Sequence, residues 1–558
     1  MRKLILAIII YSSLFINYSA TAQTTTTKAT TFTRPKLVVG IVIDQMRWDY
    51  LYRFNDLFKA DGGFKRLLNN GFSCENTFIP YVPTVTAAGH TCIYTGSVPA
   101  IHGIVGNNWF DNIENKKYYC TDDSTVQTVG DSSINEGKMS PRNMLVTTIG
   151  DELRIATNFK SKVIGISIKD RAAILPAGHA ANAAYWYDKK GNFITSTYYM
   201  DSLPAWVQNF NKRKITDSLY SFGWVPYLPW NLITQSYPYL DYSTADDVPY
   251  EDKPFGNAQT KMPYDLSKYI GKDYTKIATT PGGNVLLEQM AEATISNEQL
   301  GKGKTTDMLT VSFSSPDYIG HAFGPNSWEQ MDDYVRLDAV LGKFFHYLDS
   351  IVGKGQYVVF LTADHGVSHI PGFDTVYKLP GGYFNGDDIK KGLNAHLKQQ
   401  FGIDNLVTSV MNFQVTLNNV LIDSSASLNK KNIEDRVIDY LLRQPSVAQA
   451  FDVKEISTYP ITAKQREMIT NGYFPSRGGD IQIIVKPGFV ESEGIADSHG
   501  VWNPYDSHIP LLWYGWGIKQ GVSNREVYMT DIAPTLAAML HIQMPNGCIG
   551  KVIPEVMK

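Results

Sequence analysis

The sequence predicts an α/β fold: a central, mostly parallel sheet flanked by helices, carrying a cap insertion and a small α+β subdomain. Three observations predict it. Four short apolar runs recur along the chain and each ends in polar or charged residues, the pattern of buried parallel strands whose carboxyl ends face a common site. Between the last two runs, apolar residues spaced at three and four give an amphipathic helix able to cover one sheet face. Two long segments, about residues 180–281 and 371–489, break this alternation and read as insertions.

In chain order, Met1-Arg2-Lys3 precedes an apolar run over residues 4–16 and then Ala20-Thr21-Ala22 before Gln23. Basic, apolar and small residues in that order describe a secretory signal peptide, and the run is shorter than the roughly 20 residues a membrane span needs. Cleavage after Ala22 is expected, giving a periplasmic or secreted protein with no stable membrane association. A threonine-rich linker over residues 23–35 ends at Pro35, and residues 36–558 form the folded domain.

The first strand covers residues 37–43 and ends in Asp44. Three further runs repeat it: 162–168 leads into Lys169-Asp170-Arg171, 308–313 into Ser314-Ser315-Pro316-Asp317, and 357–361 into Thr362-Ala363-Asp364-His365-Gly366. In open α/β sheets ligands bind outside the carboxyl ends of the strands, so these four ends should share one site. Tyr334, Leu337, Leu341, Phe344 and Leu348 mark the crossover helix. A further strand is expected over 509–513 and a late helix from Asp531, with Pro534 in its first turn. Residues 180–281 are crowded with Tyr, Trp, Pro and Asp, including Tyr185-Trp186-Tyr187, and show no sustained period; they are expected to cap the site. In the second insertion a helical 433–442 and a strand-like 481–485 point to the α+β subdomain.

Charge is nearly balanced, with 51 basic and 54 acidic residues and a formal net charge of -3, so there is no bulk electrostatic case for nucleic acid or anionic membrane as a partner. Cys74, Cys92, Cys120 and Cys548 would stand in a disulfide-permissive compartment, and their three possible pairings stay open. None lies in a C-x-x-C spacing, which argues against a cysteine zinc site. Cys92 fits a buried free thiol as well as it fits a bridge partner.

The chemistry gathers around Pro83-Thr84-Val85-Thr86-Ala87-Ala88-Gly89-His90, which reads as a turn into a helix. A hydroxyl at a helix start meets backbone N–H groups and a positive dipole end, a ready site for an anion. Thr86 is better placed than Thr84, because small residues follow it. A hydroxyl is a weak nucleophile until a base or a metal lowers its pKa. The strand ends supply candidates: Asp44, Asp317 with His321 four residues on, Asp364 with His365, and His499 in Asp497-Ser498-His499-Gly500. A single Asp-His pair near a loop is commonly a surface pair. Joint occurrence at strand ends reverses that, and three histidines, three aspartates and a hydroxyl could furnish two mixed N/O sites of the kind zinc takes. Lys169 and Arg171, two apart at a strand end, should point to one face. His90, His102, His179, His346, His369, His396, His508 and His541 lack this placement and are expected to be core or surface histidines.

These motifs, with Gly103-Ile104-Val105-Gly106-Asn107-Asn108, resemble the alkaline phosphatase superfamily over nearly all of the mature chain, most closely its secreted PafA-type broad-substrate phosphate monoesterases. The resemblance implies one zinc held by Asp317, His321 and His499 and a second held by Asp44, Asp364, His365 and the Thr86 oxygen. It implies further that Thr86 is the nucleophile, passing through a phosphothreonine, with Asn107, Lys169 and Arg171 holding the phosphate of a small monoester. Serine-using members carry a third, magnesium site; here threonine replaces serine and Lys169 would take that ion's place, so no third Mg²⁺ is expected. A monomer is favoured. Two rival functions follow. Nucleotide pyrophosphatases/phosphodiesterases resemble this chain in ligands, threonine and asparagine but lack the Lys-x-Arg pair. A secreted metal-stabilised binding protein would keep the same residues only as structure. The segment Thr86-Ala87-Ala88-Gly89-His90 does not supply the Cys/Ser-x-Pro-x-Arg signature of a sulfatase.

Overall fold

The computed structural model describes residues 33–558 apart from 134, 230, 232–235 and 493–497. The expected signal peptide, most of the linker and Asp497 therefore lie outside the described residues. The main sheet is built from β1 (Leu37–Ile43), β2 (Phe72–Phe78), β3 (Thr128–Val129), β4 (Val163–Ser167), β5 (Ala183–Tyr187), β6 (Phe193–Ser196), β7 (Asp307–Phe313), β8 (Tyr357–Thr362), β9 (His508–Ile509), β10 (Leu511–Gly515) and β11 (Gly521–Tyr528). Their order is β9-β2-β10-β8-β1-β7-β4-β5-β6-β3, with β11 added on β2, eleven strands in all. The central run β8-β1-β7-β4-β5 is parallel, and β10 and β6 pair antiparallel on either side of it.

Every residue of β1, β4, β7 and β8 is buried, which is why these strands read as continuous apolar runs and not as alternating ones. Their register sets Ile43 opposite Phe313, Val42 opposite Thr362 and Ser167 opposite Ser312. The four strands therefore end level, and the polar residues that follow them open onto one edge.

Four helices matter to the site, α1 (Thr86–Thr95), α2 (Asp170–Ala177), α3 (Ser315–Phe323) and α4 (Trp328–Leu348), and the expected late helix is α5 (Ile532–Leu540). The expected crossover helix is α4, and a shorter helix, α3, precedes it, separated from it at Gly324. That glycine has φ +83°, and a Cβ there would meet Ile370 at 2.8 Å. Ser327 then caps α4 by accepting from the Gln330 N–H. Tyr334, Leu337, Leu341, Phe344 and Leu348 are all fully buried, as their spacing predicts.

Two segments differ from expectation. Tyr185-Trp186-Tyr187, placed by the sequence in the cap insertion, lies in β5 of the main sheet, and β6 follows it. Four consecutive residues of β5 are buried, so no alternation betrays the strand. The strand expected over 509–513 is split at Pro510 into β9 and β10, because proline has no N–H to give a ladder.

Aromatic residues of the following cap segment pack on α4. Trp224 Nε1 donates to Asp332 at 2.8 Å, the Tyr227 N–H donates to Asp332 at 2.7 Å, Tyr239 OH donates to the same carboxylate, and Tyr264 OH donates to Glu329 at 2.5 Å. The second insertion forms a separate four-stranded sheet of Val407–Met411, Gln414–Leu417, Val447–Asp452 and Ile481–Val485. Helices Gly386–Phe401 and Lys430–Leu441 close it with their own core of Leu393, Leu397, Ile433, Val437 and Ile483. All four cysteines are free thiols, and Cys92 is fully buried in α1. Among the described residues no helix is long and apolar enough to cross a membrane.

Candidate metal centre and active site

Thr86 is the first residue of α1 and is buried, with Val85 extended before it. Its Oγ1 lies 3.4 Å from His365 Nε2. The other threonine is committed elsewhere: Thr84 Oγ1 donates to the Val501 carbonyl at 3.0 Å, and its own carbonyl lies 2.7 Å from His499 Nδ1. Asn107 Oδ1 accepts the Ala87 N–H at 2.9 Å, which fixes the amide flip and leaves Nδ2 free to act as a donor.

The strand ends bring the remaining residues together. His365 Nε2 stands 3.5 Å from Asp44, 3.4 Å from Asp364 and 4.0 Å from Asp317. Its ring stacks on His499 with centroids 3.5 Å apart. Asp317 Oδ1 lies 3.3 Å from His321 Nε2 and 3.8 Å from His499 Nε2. Two groups have the compactness a metal ion needs: Asp44, Asp364 and His365, and Asp317, His365 and His499. His365 thus sits within reach of both groups. His321 joins the second through Asp317, as the i,i+4 spacing on α3 allows.

The electrostatics show an anion cluster short of positive charge. Burial, followed by repulsion from Asp317 and Asp364, pushes the Asp44 carboxyl well above its usual range, although Lys169 acts against both. Burial alone would discharge Lys169, yet Asp317 and Asp44 hold its pKa above the ordinary lysine value. Burial opposes charge on Asp317 as well, but Lys169 and His321 bring its pKa well below the carboxylate range. Burial lowers His365, and burial with the neighbouring rings His365 and His321 lowers His499 further, so both rings are neutral donors near pH 7. Asp44 Oδ1 is a buried acceptor without a hydrogen-bond partner, and Asp364 Oδ2 meets the His90 ring at 3.3 Å. Buried carboxylates short of donors beside neutral imidazoles are a donor set that fits a divalent metal ion.

Lys169 and Arg171 do not act as two residues of one strand. Ser167 ends β4 and Asp170 begins α2, so the pair spans a tight strand-to-helix turn. Lys169 Nζ donates to Asp44 Oδ2 at 2.6 Å and to Asp317 Oδ2, joining the two groups. Arg171 Nη1 donates to Tyr119 OH at 3.1 Å, and Tyr119 donates in turn to Asp170 at 2.7 Å. Both cations still line one cavity.

Three residues outside the expected set hold the centre in shape. Gln45, with φ +67°, donates its N–H to Asp364 and its side-chain Nε2 to Asp317, each at 3.1 Å. His90, expected only as a core or surface histidine, is fully buried with Nδ1 3.3 Å from Asp364 Oδ2 and 2.9 Å from the Thr86 carbonyl; its Nε2 lies 2.8 Å from Ser312 Oγ. Asp506 accepts the N–H groups of Gly500 at 2.8 Å and Val501 at 2.9 Å, fixing the turn after His499. His90 had a signal in the sequence, one helical turn after Thr86. Gln45 and Asp506 had none that spacing could reveal.

This fold and donor set are those of a known class. Residues 38–506 match the type I phosphodiesterase / nucleotide pyrophosphatase family, and the chain belongs to that family, within the alkaline phosphatase superfamily. Among its relatives, alkaline phosphatase PhoV of Synechococcus elongatus is 50% identical over 95% of this chain and 94% of the relative. Alkaline phosphatase PafA of Elizabethkingia meningoseptica is also 50% identical, over 94% of this chain and 95% of its own. A crystal structure of wild-type alkaline phosphatase PafA superposes with a TM-score of 0.90 at 50% identity, covering 94% of this chain and 99% of that one.

Proposed function

We propose that this chain is an exported, zinc-dependent alkaline phosphatase that hydrolyses small phosphate monoesters. The observation that carries the reading is Lys169: a buried ammonium that joins Asp44 to Asp317, with Arg171 lining the same cavity, while the Thr86 hydroxyl meets the centre at His365. The two relatives described above are themselves named alkaline phosphatases, which supports it.

Asp44, Asp364, His365 and the Thr86 oxygen would hold one zinc ion, and Asp317, His321 and His499 the other. When bound, the ions supply Lewis acidity, lowering the pKa of the threonine hydroxyl and offsetting charge on the leaving oxygen. Thr86 Oγ1 forms a bond to phosphorus as the ester P–O bond breaks, and water later hydrolyses the phosphothreonine to restore the hydroxyl. The start of α1 favours the anion through its dipole and N–H groups. Asn107 Nδ2 donates to a phosphoryl oxygen. Arg171 offers a fork to two oxygens and Lys169 a compact charge to a third.

A diesterase is the second reading, favoured by the family description itself. A diester brings one negative charge and fewer free oxygens, so two extra cations favour the dianionic monoester. Hydrolysis of a simple aryl phosphate should stop when a chelator strips the metal and return with added zinc. Thr86→Ala should retain metal by elemental analysis yet lose turnover. Activity indifferent to the chelator, or near-normal turnover in Thr86→Ala, would overturn the reading.

A further inference from the structure

A two-residue turn carries the α+β subdomain to the active site. Asn412 and Phe413 join the strands Val407–Met411 and Gln414–Leu417, with Met411 paired to Gln414 across the turn. Both residues are left-handed, at φ +55° and +56°. That is the geometry of a type I′ turn, which favours asparagine in the first place and glycine in the second. Asn412 fits its place. Phe413 does not, because a bulky side chain at positive φ is strained, and such strain persists only where surrounding contacts offset it.

The contacts lie on three segments of the active site. Asn412 Nδ2 donates to the Asn108 carbonyl at 2.9 Å. On the other side of Asn107, a Cβ at Gly106 would meet Asn412 Nδ2 at 2.7 Å and Oδ1 at 2.9 Å, so glycine is what lets the amide approach that backbone. One side chain thus holds the chain on either side of Asn107. Phe413, only 5% exposed, covers Gly500, the residue after His499. A Cβ at Gly500 would meet Phe413 Cε2 at 3.1 Å and, at 3.9 Å, Cγ1 of Val85, the residue before Thr86. The turn is in turn fixed to the subdomain: the Phe413 carbonyl accepts the Ile483 N–H at 2.8 Å and Gln482 Nε2 at 3.1 Å, and the Phe413 ring meets Phe384 with centroids 5.6 Å apart. A turn that served only its own sheet would be better off with glycine at 413.

We propose that Asn412 and Phe413 are positioning residues for the reaction: Asn412 sets the direction of Asn107 toward the phosphoryl group, and Phe413 holds the turn that carries His499. The inference rests on the phosphatase reading. It gives the second insertion a part in the chemistry, since a small sheet with its own packed core is a rigid support for two active-site segments that have no regular structure of their own.

The test uses Asn412→Gly and Phe413→Gly in the full-length, zinc-loaded enzyme. Glycine suits both places of a type I′ turn, so each variant keeps the hairpin and loses one contact. Asn412→Gly should lower kcat/KM for phenyl phosphate and weaken inhibition by inorganic phosphate, each by about tenfold, the lower end of what a lost orienting group costs. In an Asn107→Ala background the same change should cost less than about twofold, because Asn412 then has nothing to orient. Phe413→Gly should give up zinc to a competing chelator about tenfold more readily, whereas Asn412→Gly should hold zinc as the wild type does. The two variants alter one turn, so a general loosening of the subdomain would move both readouts in both, and that result would overturn the proposal. An Asn412→Gly loss that is equal in the two backgrounds, or absent, would overturn the role of Asn412; unchanged zinc affinity in Phe413→Gly would overturn that of Phe413. A wild-type enzyme inactive on phenyl phosphate would instead overturn the functional reading, and the role of Asn412 with it.

Discussion

A carboxylate serves a metal only as well as its direction is fixed, and Asp364 is fixed from two sides. The Gln45 N–H donates to Oδ1, and His90 Nδ1 faces Oδ2 at 3.3 Å. His90 also reaches the carbonyl of Thr86, so one ring ties the helix start to that carboxylate. Removing a group that orients a ligand typically costs 10- to 100-fold in metal affinity or activity. His90→Ala should therefore lower metal affinity by about that factor, measured by competition with a chelator of known affinity. Affinity equal to wild type would show that Asp364 needs no such support. Asp44, Asp317 and Asp364 were legible because each ends an apolar run, and Thr86 because small residues follow it. Gln45 was not, because its role depends on a left-handed backbone and on Gly320, where a Cβ would meet Gln45 Oε1 at 1.8 Å.

At the level of elements, α4 has a second buried face that amphipathic spacing hides. Its apolar stripe covers the sheet, as the sequence shows, but Glu329, Asp332 and Asp333 are fully buried too. The cap meets Glu329 through Tyr264, Asn284 donates to Asp333, and Asp332 gathers Trp224, Tyr227, Tyr239 and Arg336. A polar helix face normally reads as solvated; here it is a docking face for aromatic residues that bring their own donors. Asp332→Ala would leave several buried donors without an acceptor. A loss of about 3 kcal/mol in unfolding free energy is expected, the scale for breaking a buried, hydrogen-bonded charge. Denaturant titration measures it, and a loss below about 0.5 kcal/mol would mean that the cap is held by its apolar contacts alone. The same reasoning explains why β5 was not legible: a strand buried on both faces shows no period, and its aromatic residues resembled those of the cap.

For the whole molecule, buried carboxylates of the cap link stability to pH. Burial, then repulsion from Asp246, holds Glu251 up at about 8, and burial holds Asp246 at about 6. Glu329, fully buried beside them, is pushed up in the same way. An acid whose folded pKa is raised binds more protons in the folded chain than in the unfolded one, so stability falls as pH rises through the interval between the two values. For Glu251 that interval runs from about 4.5 to about 8. Unfolding free energy measured across this range should decline with pH, and Glu251→Gln, which cannot ionise, should flatten the decline. Identical pH profiles for wild type and variant would show that Glu251 keeps its ordinary pKa in the fold.

The central claim is that the two cations at the end of β4 make the shared metal centre a monoesterase. The most direct measurement is kcat/KM for an aryl phosphate monoester and an aryl phosphate diester in the Lys169→Ala/Arg171→Ala double variant, with metal content determined on the same samples. Each lost donor should cost about 2 to 4 kcal/mol of transition-state stabilisation on the monoester, the scale of a lost oxyanion donor. The diester, with fewer free oxygens for Lys169 and Arg171 to meet, should lose much less while metal content holds. Equal losses on both substrates at full metal content would contradict the account, because the pair would then serve the shape of the site and not the charge of the monoester.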